Sequence, residues 1–176
     1  MIEKIRLYGD EVLRKVSKPA LQIDDNIRTK ARNLTEYLEL YDEFALSGPQ
    51  MGYSIRMFSI RPIWIEDIKK RKPMIFINPT LLEFSGVQNE SEGCLSIPEI
   101  FERVKRAQKV VFKAQNLFGK WKQYTATDLF SRAVQHEYDH LEGILFIDKI
   151  SPLKRKLLQG KLRKIASTTK DGVNIG

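Results

Sequence analysis

Cysteine occurs once in these 176 residues, as Cys94, and histidine only twice, as His136 and His140. A single thiol excludes an internal disulfide, so stability has to come from a core, which a chain of this length is able to bury. The same scarcity points to a reducing compartment, with the cytoplasm as the simplest expectation. No run of about 18 or more apolar residues occurs, which excludes a membrane-spanning helix of ordinary length. The opening residues, Met1 to Arg6, have no apolar stretch and carry an early acid, so neither a secretory signal nor a transit peptide is expected there. There are no internal repeats and no low-complexity tracts. Acids are absent from Ser151 to Lys170, where Lys154, Arg155, Lys156, Lys161, Arg163, Lys164 and Lys170 contribute much of the net charge of +8. Such a tail is either a solvated helix face or a contact for a polyanionic neighbour, RNA or an acidic surface.

What is present reads as an α+β chain. Ile27, Ala31, Leu34, Leu38 and Tyr41 recur at helical spacing, which predicts a helix over 25–41 with Asp24 or Asp25 as its cap. The following stretch, residues 45–52, holds Gly48, Pro49 and Gly52 and reads as a loop. Ile55 to Ile60 and Met74 to Ile77 read as strands, the second stopped by Asn78-Pro79, with Leu81 to Phe84 as a further short strand. Residues 110–114 and 121–125 flank Asn116-Leu117-Phe118-Gly119 and read as a hairpin. A second helix is predicted over 127–141, stopped near Gly143. A third, basic and amphipathic, follows Pro152, with Leu153, Leu157, Leu158, Leu162 and Ile165 on its apolar side. Strands in the middle with helices at the ends favour α+β over a parallel α/β sheet. Residues 1–152 are expected to form the catalytic part, and 153–176 a basic helix and tail of the same domain.

The chemistry concentrates in His136-Glu137-Tyr138-Asp139-His140, an H-E-x-x-H inside the second predicted helix. Positions i and i+4 sit one turn apart on one face, so both imidazoles reach one ion, and Glu137 stands close enough to act on a metal-bound water. A charged helix with two solvated histidines is the bland alternative. A catalytic zinc-type site needs a third protein ligand and an open position. The third histidine of a metzincin is replaced by Phe146, and no glutamate follows Glu142, so a thermolysin-like ligand is missing as well. The remaining soft donor is Cys94, in Glu92-Gly93-Cys94-Leu95-Ser96. A lone cysteine is more often a buried inert thiol; beside an H-E-x-x-H lacking its third ligand, the ligand reading is preferred. One thiolate and two imidazoles suit Zn(II) or Fe(II). One divalent metal is expected, and the donor set alone does not choose between these two.

In order and spacing these motifs resemble the peptide deformylases. Leu46-Ser47-Gly48-Pro49-Gln50-Met51-Gly52 is similar to the family's first motif, Glu92-Gly93-Cys94-Leu95-Ser96 matches the second, and Gln135-His136-Glu137-Tyr138-Asp139-His140 matches the third, H-E-x-D-H. Smaller echoes are Gly9-Asp10 with Leu13-Arg14, Ile77-Asn78-Pro79, and Leu145 to Asp148. The resemblance covers roughly residues 5–152. It implies antiparallel sheets packed around a central helix that carries H-E-x-D-H. It further implies hydrolysis of the N-formyl group from the formyl-methionine of new polypeptides, releasing formate. Glu137 would move the proton, and the Gln50 amide and Leu95 N–H would stabilise the oxyanion. Glu92 and Asp139 would fix the ligands. Substrate contacts would come from Phe44, Ala45, Leu46, Gly93, Ile97, Phe101 and Val134, with Leu129 and Phe130 as further apolar candidates for the methionine pocket.

The first motif departs from the family's G-x-G-x-A-A-P-Q. Here the chain reads Glu43-Phe44-Ala45-Leu46-Ser47-Gly48-Pro49-Gln50: both leading glycines are gone and Ala-Ala has become Ser-Gly. Ala45 adds a methyl at the substrate wall and is strained if the position needs a positive φ. Two other functions compete with the deformylase reading. One is a related metallohydrolase acting on another formyl-amide or peptide. The other is a ribosome-binding module that keeps a vestigial site and docks through its basic C-terminal helix.

Overall fold

The structure is a computed structural model that describes residues 4–62 and 72–170, with side chains through Thr168. Met1 to Glu3, the Lys170 side chain and the tail from residue 171 lie outside the described residues. Helix α1 spans Asp25–Leu40 and buries Ile27, Ala31, Leu34 and Leu38, the stripe that the helical period selects. Asp24 caps it, its Oδ1 accepting from Ile27 N at 2.9 Å. Strands β1 (Ala45–Ser47), β2 (Met57–Ile60), β3 (Met74–Ser85), β6 (Lys109–Gln115) and β7 (Trp121–Thr127) form one sheet in the order β1-β2-β3-β6-β7, every pairing antiparallel. Strands β4 (Gln88–Cys94) and β5 (Ile97–Arg106) form a separate antiparallel pair. Helices α2 (Asp128–Leu141) and α3 (Pro152–Lys170) follow. This is the expected α+β arrangement, with the H-E-x-D-H helix packed on both β1 and β7 of the larger sheet.

Asn78-Pro79 does not end a strand, contrary to the sequence expectation. β3 runs through it, with a register break against β6 between Ile77 and Thr80. Asn78 adopts a φ of 51°, and its side chain supplies the bonds that the bulge forfeits. Its Oδ1 accepts from Ala20 N, and its Nδ2 donates to Ala20 O and Gln115 Oε1. Pro79 lies beyond Ile77, where the β2 pairing has already finished, so no ladder bond needs its missing N–H.

Helix α2 is buried on nearly all sides. Val134 and Leu141 join Phe58, Phe76, Phe112 and Ala126 in one apolar cluster. Gly143 closes the helix at a φ of 71°, and a Cβ there would stand 2.6 Å from Arg14 O, so the chain turns where only glycine fits. α3 buries Leu162 against Leu13, Ile97, Val104 and Phe146, with Leu158 and Ile165 beside it. Leu153 and Leu157 do not join them: they are 70% and 77% exposed. Leu157 stands roughly 100° around the helix from Leu158, which takes it off the 158–162–165 stripe. Among the described residues no helix is long and apolar enough to cross a membrane.

Candidate metal centre

Two elements deliver the donors. α2 presents Leu129, Arg132, Ala133, His136 and Glu137 to one cleft, and the β4–β5 hairpin presents Glu92, Gly93, Cys94, Leu95 and Ile97 from the facing side. On α2 these positions follow the i, i+3, i+4, i+7, i+8 spacing of one face. Val134 is two residues from His136, about 200° away. It points into the core and does not line the cleft. Leu46 is likewise fully buried in a core cluster, because it alternates with Ala45 along β1. Phe44, Ala45, Gly93, Ile97 and Phe101 do line the cleft, with a volume near 490 Å³. Ala45 is paired with Ile60 in regular strand and is not among the residues with positive φ, so its backbone is unstrained. A Cβ on Gly93 would meet the Phe101 ring at 2.4 Å, so glycine lets that ring lie directly over the hairpin backbone.

Cys94 Sγ and one ring nitrogen each of His136 and His140 lie within 4.8 Å of one another. Sγ and His140 Nε2 are 3.3 Å apart. A tetrahedral metal with bonds of about 2.3 Å to sulfur and about 2.0–2.1 Å to nitrogen separates such donors by about 3.5 Å. The donor set therefore fits a borderline-soft divalent ion in both chemistry and spacing. His136 Nδ1 is 3.0 Å from Glu92 Oε2. A carboxylate only accepts, so Nδ1 carries the proton and the lone pair on Nε2 faces the cleft.

Glu92 is itself clamped. Arg106 donates to it through Nε and Nη2 at 2.8 and 2.9 Å, and Arg132 through Nη1 at 2.6 Å. Burial alone raises its carboxyl, but the bonds from Arg106 and His136 outweigh burial and hold it well below the usual carboxylate range. Arg106 also binds Asp139 through Nη1, and Lys149 Nζ lies 3.3 Å from the same Asp139 oxygen. Asp139 is thus an inward-facing member of an ion network, not a helix surface charge. Burial pulls the basicity of His136 down, yet contact with Cys94 and Glu92 lifts it well above the ordinary value. His140 is driven the other way, by burial first and by its neighbour His136 second.

Glu137 is 3% exposed, and its Oε2 has no hydrogen-bond partner among the described residues. Burial pushes its carboxyl up to about 7, against the opposing pull of His136 and Ser47. Gln50 directs Nε2 toward Cys94 Sγ at 3.5 Å, while its Oε1 accepts from Ser47 N and Ser47 Oγ. Leu95 lines the cleft beside Cys94. The sequence reading overlooked Arg106 and Arg132. Arg132 carries a weak signal, one turn before His136, whereas nothing local marks Arg106.

A family model described as polypeptide deformylase matches residues 2–156. The chain belongs to the peptide deformylase family. A peptide deformylase of Thermotoga sp. (strain RQ2) is 40% identical over 168 residues, covering 95% of this chain and 98% of the relative. That of Acidobacterium capsulatum is 39% identical over 165 residues, covering 94% and 96%. The crystal structure of a peptide deformylase from Legionella pneumophila superposes with a TM-score of 0.86 at 34% identity, covering 97% of this chain and 98% of that one.

The Glu92 clamp generates a prediction with a defined pH window. A carboxyl whose pKa is depressed on folding contributes stability above its unfolded value, about 4.3, and loses it as pH falls through the folded value. Glu92→Gln should therefore melt below wild type at neutral pH, and the gap should narrow on acidification below about pH 4. Metal affinity should fall about 10- to 100-fold as His136 loses its orienting partner. Thermal melts across pH and chelator competition measure both; an equal melting gap at pH 7 and pH 3 would contradict the clamp.

Proposed function

We propose that the chain hydrolyses the N-formyl group of formyl-methionine at the start of nascent polypeptides and releases formate. The observation that carries this reading is the convergence of Cys94, His136 and His140 beside a cleft lined by Cys94, His136 and the buried Glu137. A divalent metal on those three donors supplies Lewis acidity and brings the pKa of a bound water toward neutrality. Glu137, with a carboxyl near neutrality, takes the proton of the attacking water and hands it to the leaving amine. Gln50 Nε2 and the Leu95 N–H donate to the oxygen on which negative charge develops; removing one such donor costs about 2.7–4 kcal/mol. Phe44, Ile97, Phe101 and Leu129 provide apolar wall for the methionine side chain and keep water from the reacting atoms. We read the metal as Fe(II), with Zn(II) or Ni(II) as substitutes, and the compartment as the cytoplasm, where a lone thiolate ligand stays reduced.

The partner surface we assign is α3. Exposed Leu153 and Leu157 stand among Lys156, Lys161, Arg163 and Lys164, a cationic face suited to ribosomal RNA. Lys154 and Arg155 are already engaged with Glu102 and Asp148 at 2.6 and 3.1 Å. Charge reversal at Lys156 and Lys161 should cut co-sedimentation with ribosomes and leave turnover of free peptide intact; unchanged co-sedimentation removes this partner.

The test of the reaction itself is formate release from a formyl-Met peptide by wild type and by Glu137→Gln. The variant should bind metal as wild type does and lose most of its kcat, since an amide accepts no proton. Near-normal turnover by the metal-loaded variant would refute the role of Glu137. Wild type active on another formyl-amide but inactive on formyl-Met peptides would favour the related-hydrolase alternative.

A further inference from the structure

Ser47 and Gly48 stand where the family pattern has two alanines, directly before the Gln50 turn. Ser47 is fully buried, an unusual setting for a hydroxyl unless it is bonded. Its Oγ and its own backbone N–H both donate to Gln50 Oε1, at 2.8 and 2.9 Å. A carboxamide has one accepting end and one donating end. With two donors on Oε1, the NH2 end must face the other way, toward Cys94 Sγ, 3.5 Å from Nε2. A half-turn of the amide would set NH2 against the Ser47 N–H in a site closed to water, leaving that N–H unsatisfied, so the backbone fixes the facing and the hydroxyl adds a second bond that holds it.

Gly48 limits the backbone in the same way. A Cβ at this position would lie 2.9 Å from Ile55 O and 3.0 Å from Tyr53 O, so the Gly48–Met51 turn rests flat on the chain that follows it. Tyr53 N ties that contact by donating to Gly48 O at 2.9 Å. The turn therefore has little room to shift, and the facing of the Gln50 amide is decided by what its oxygen meets. An alanine at position 47 retains the backbone N–H but deletes the second donor.

We propose that Ser47 is a positioning residue for the reaction: its hydroxyl holds the Gln50 amide with Nε2 presented to the reacting oxygen. The inference rests on the role given above to Gln50, and concerns a residue in which this chain departs from the family pattern. Ser47 is none of the three metal donors; its hydroxyl also faces the Glu137 carboxyl, a route to the reaction that does not pass through Gln50 and that the Gln50→Ala background separates.

A double-mutant cycle tests it, using Ser47→Ala, Gln50→Ala and the double variant in the metal-loaded enzyme with a formyl-Met peptide. Ser47→Ala should lower kcat about five- to tenfold, the worth of one buried hydrogen bond, with KM and metal content little changed and Tm lowered by about 2–4 °C. In the Gln50→Ala background the same substitution should have almost no further effect. A second readout needs no turnover. In the zinc-loaded protein the side-chain 15N–1H2 resonances of Gln50 should shift, and exchange faster with solvent, when Ser47 becomes alanine. Wild-type kcat and unchanged amide resonances in Ser47→Ala would overturn the proposal. An equal loss in both backgrounds would overturn it too, since Ser47 would then act without Gln50. Wild-type kcat in Gln50→Ala would remove the role of Gln50 itself, and this inference with it.

Discussion

Glu92 carries a charge in a place almost without water, and three donors from two other elements converge on it. Arg106 comes from β5, while Arg132 and His136 are one turn apart on α2. A buried carboxylate without partners is strongly destabilising, so the β4–β5 hairpin and α2 can only sit where these bonds are all made. Burial of the whole set adds little net stability over apolar packing, because desolvation offsets much of the attraction. What the network contributes is registration. The carboxylate two residues before Cys94 binds the imidazole of His136, so one ligand of the site aligns the next. Asp139 extends the chain of alternating charge from Arg106 to Lys149, which follows the short Phe146–Asp148 turn.

The reacting groups follow from that alignment. Once Glu92 fixes the tautomer of His136, Nε2 is the nitrogen available to the cleft. Glu137 is the neighbouring residue on the same helix and is buried beside it, with Ser47 of β1 facing its carboxyl. Gln50 reaches the site from a third element, the turn after β1, and directs its amide nitrogen at Cys94.

The parts of this site legible in the sequence are those made of rare side chains at fixed spacing. Two histidines four apart on a helix, and one cysteine in the chain, leave few other ways to build a three-donor site. Helix α1 was legible from periodicity, since it buries a regular stripe, and the β6–β7 hairpin from the apolar runs that flank Asn116 to Gly119. The β4 strand was not. Gln88 to Cys94 reads Gln-Asn-Glu-Ser-Glu-Gly-Cys, with few β-favouring residues, and it is a strand because its backbone pairs with β5 from Gln88↔Arg106 to Glu92↔Glu102. The ion network was hidden for the same reason: Arg106 lies 14 residues from Glu92 and meets it only after that hairpin forms. Asn78-Pro79 misled because local rules see a breaker, whereas the fold uses the asparagine amide to bridge a bulge. Leu157 misled because an amphipathic stripe can be drawn one residue too wide, and exposure is decided by the surface the helix meets.

The account depends most on Cys94 being the third donor, because the remaining inventory offers no other soft ligand. The direct measurement is metal stoichiometry of protein purified without oxygen, wild type beside Cys94→Ala, by elemental analysis. Wild type should hold one divalent metal per chain, and the variant, reduced to two imidazoles, should hold almost none while keeping its fold by circular dichroism. A folded Cys94→Ala protein that retains one metal per chain would contradict the assignment and the site built on it.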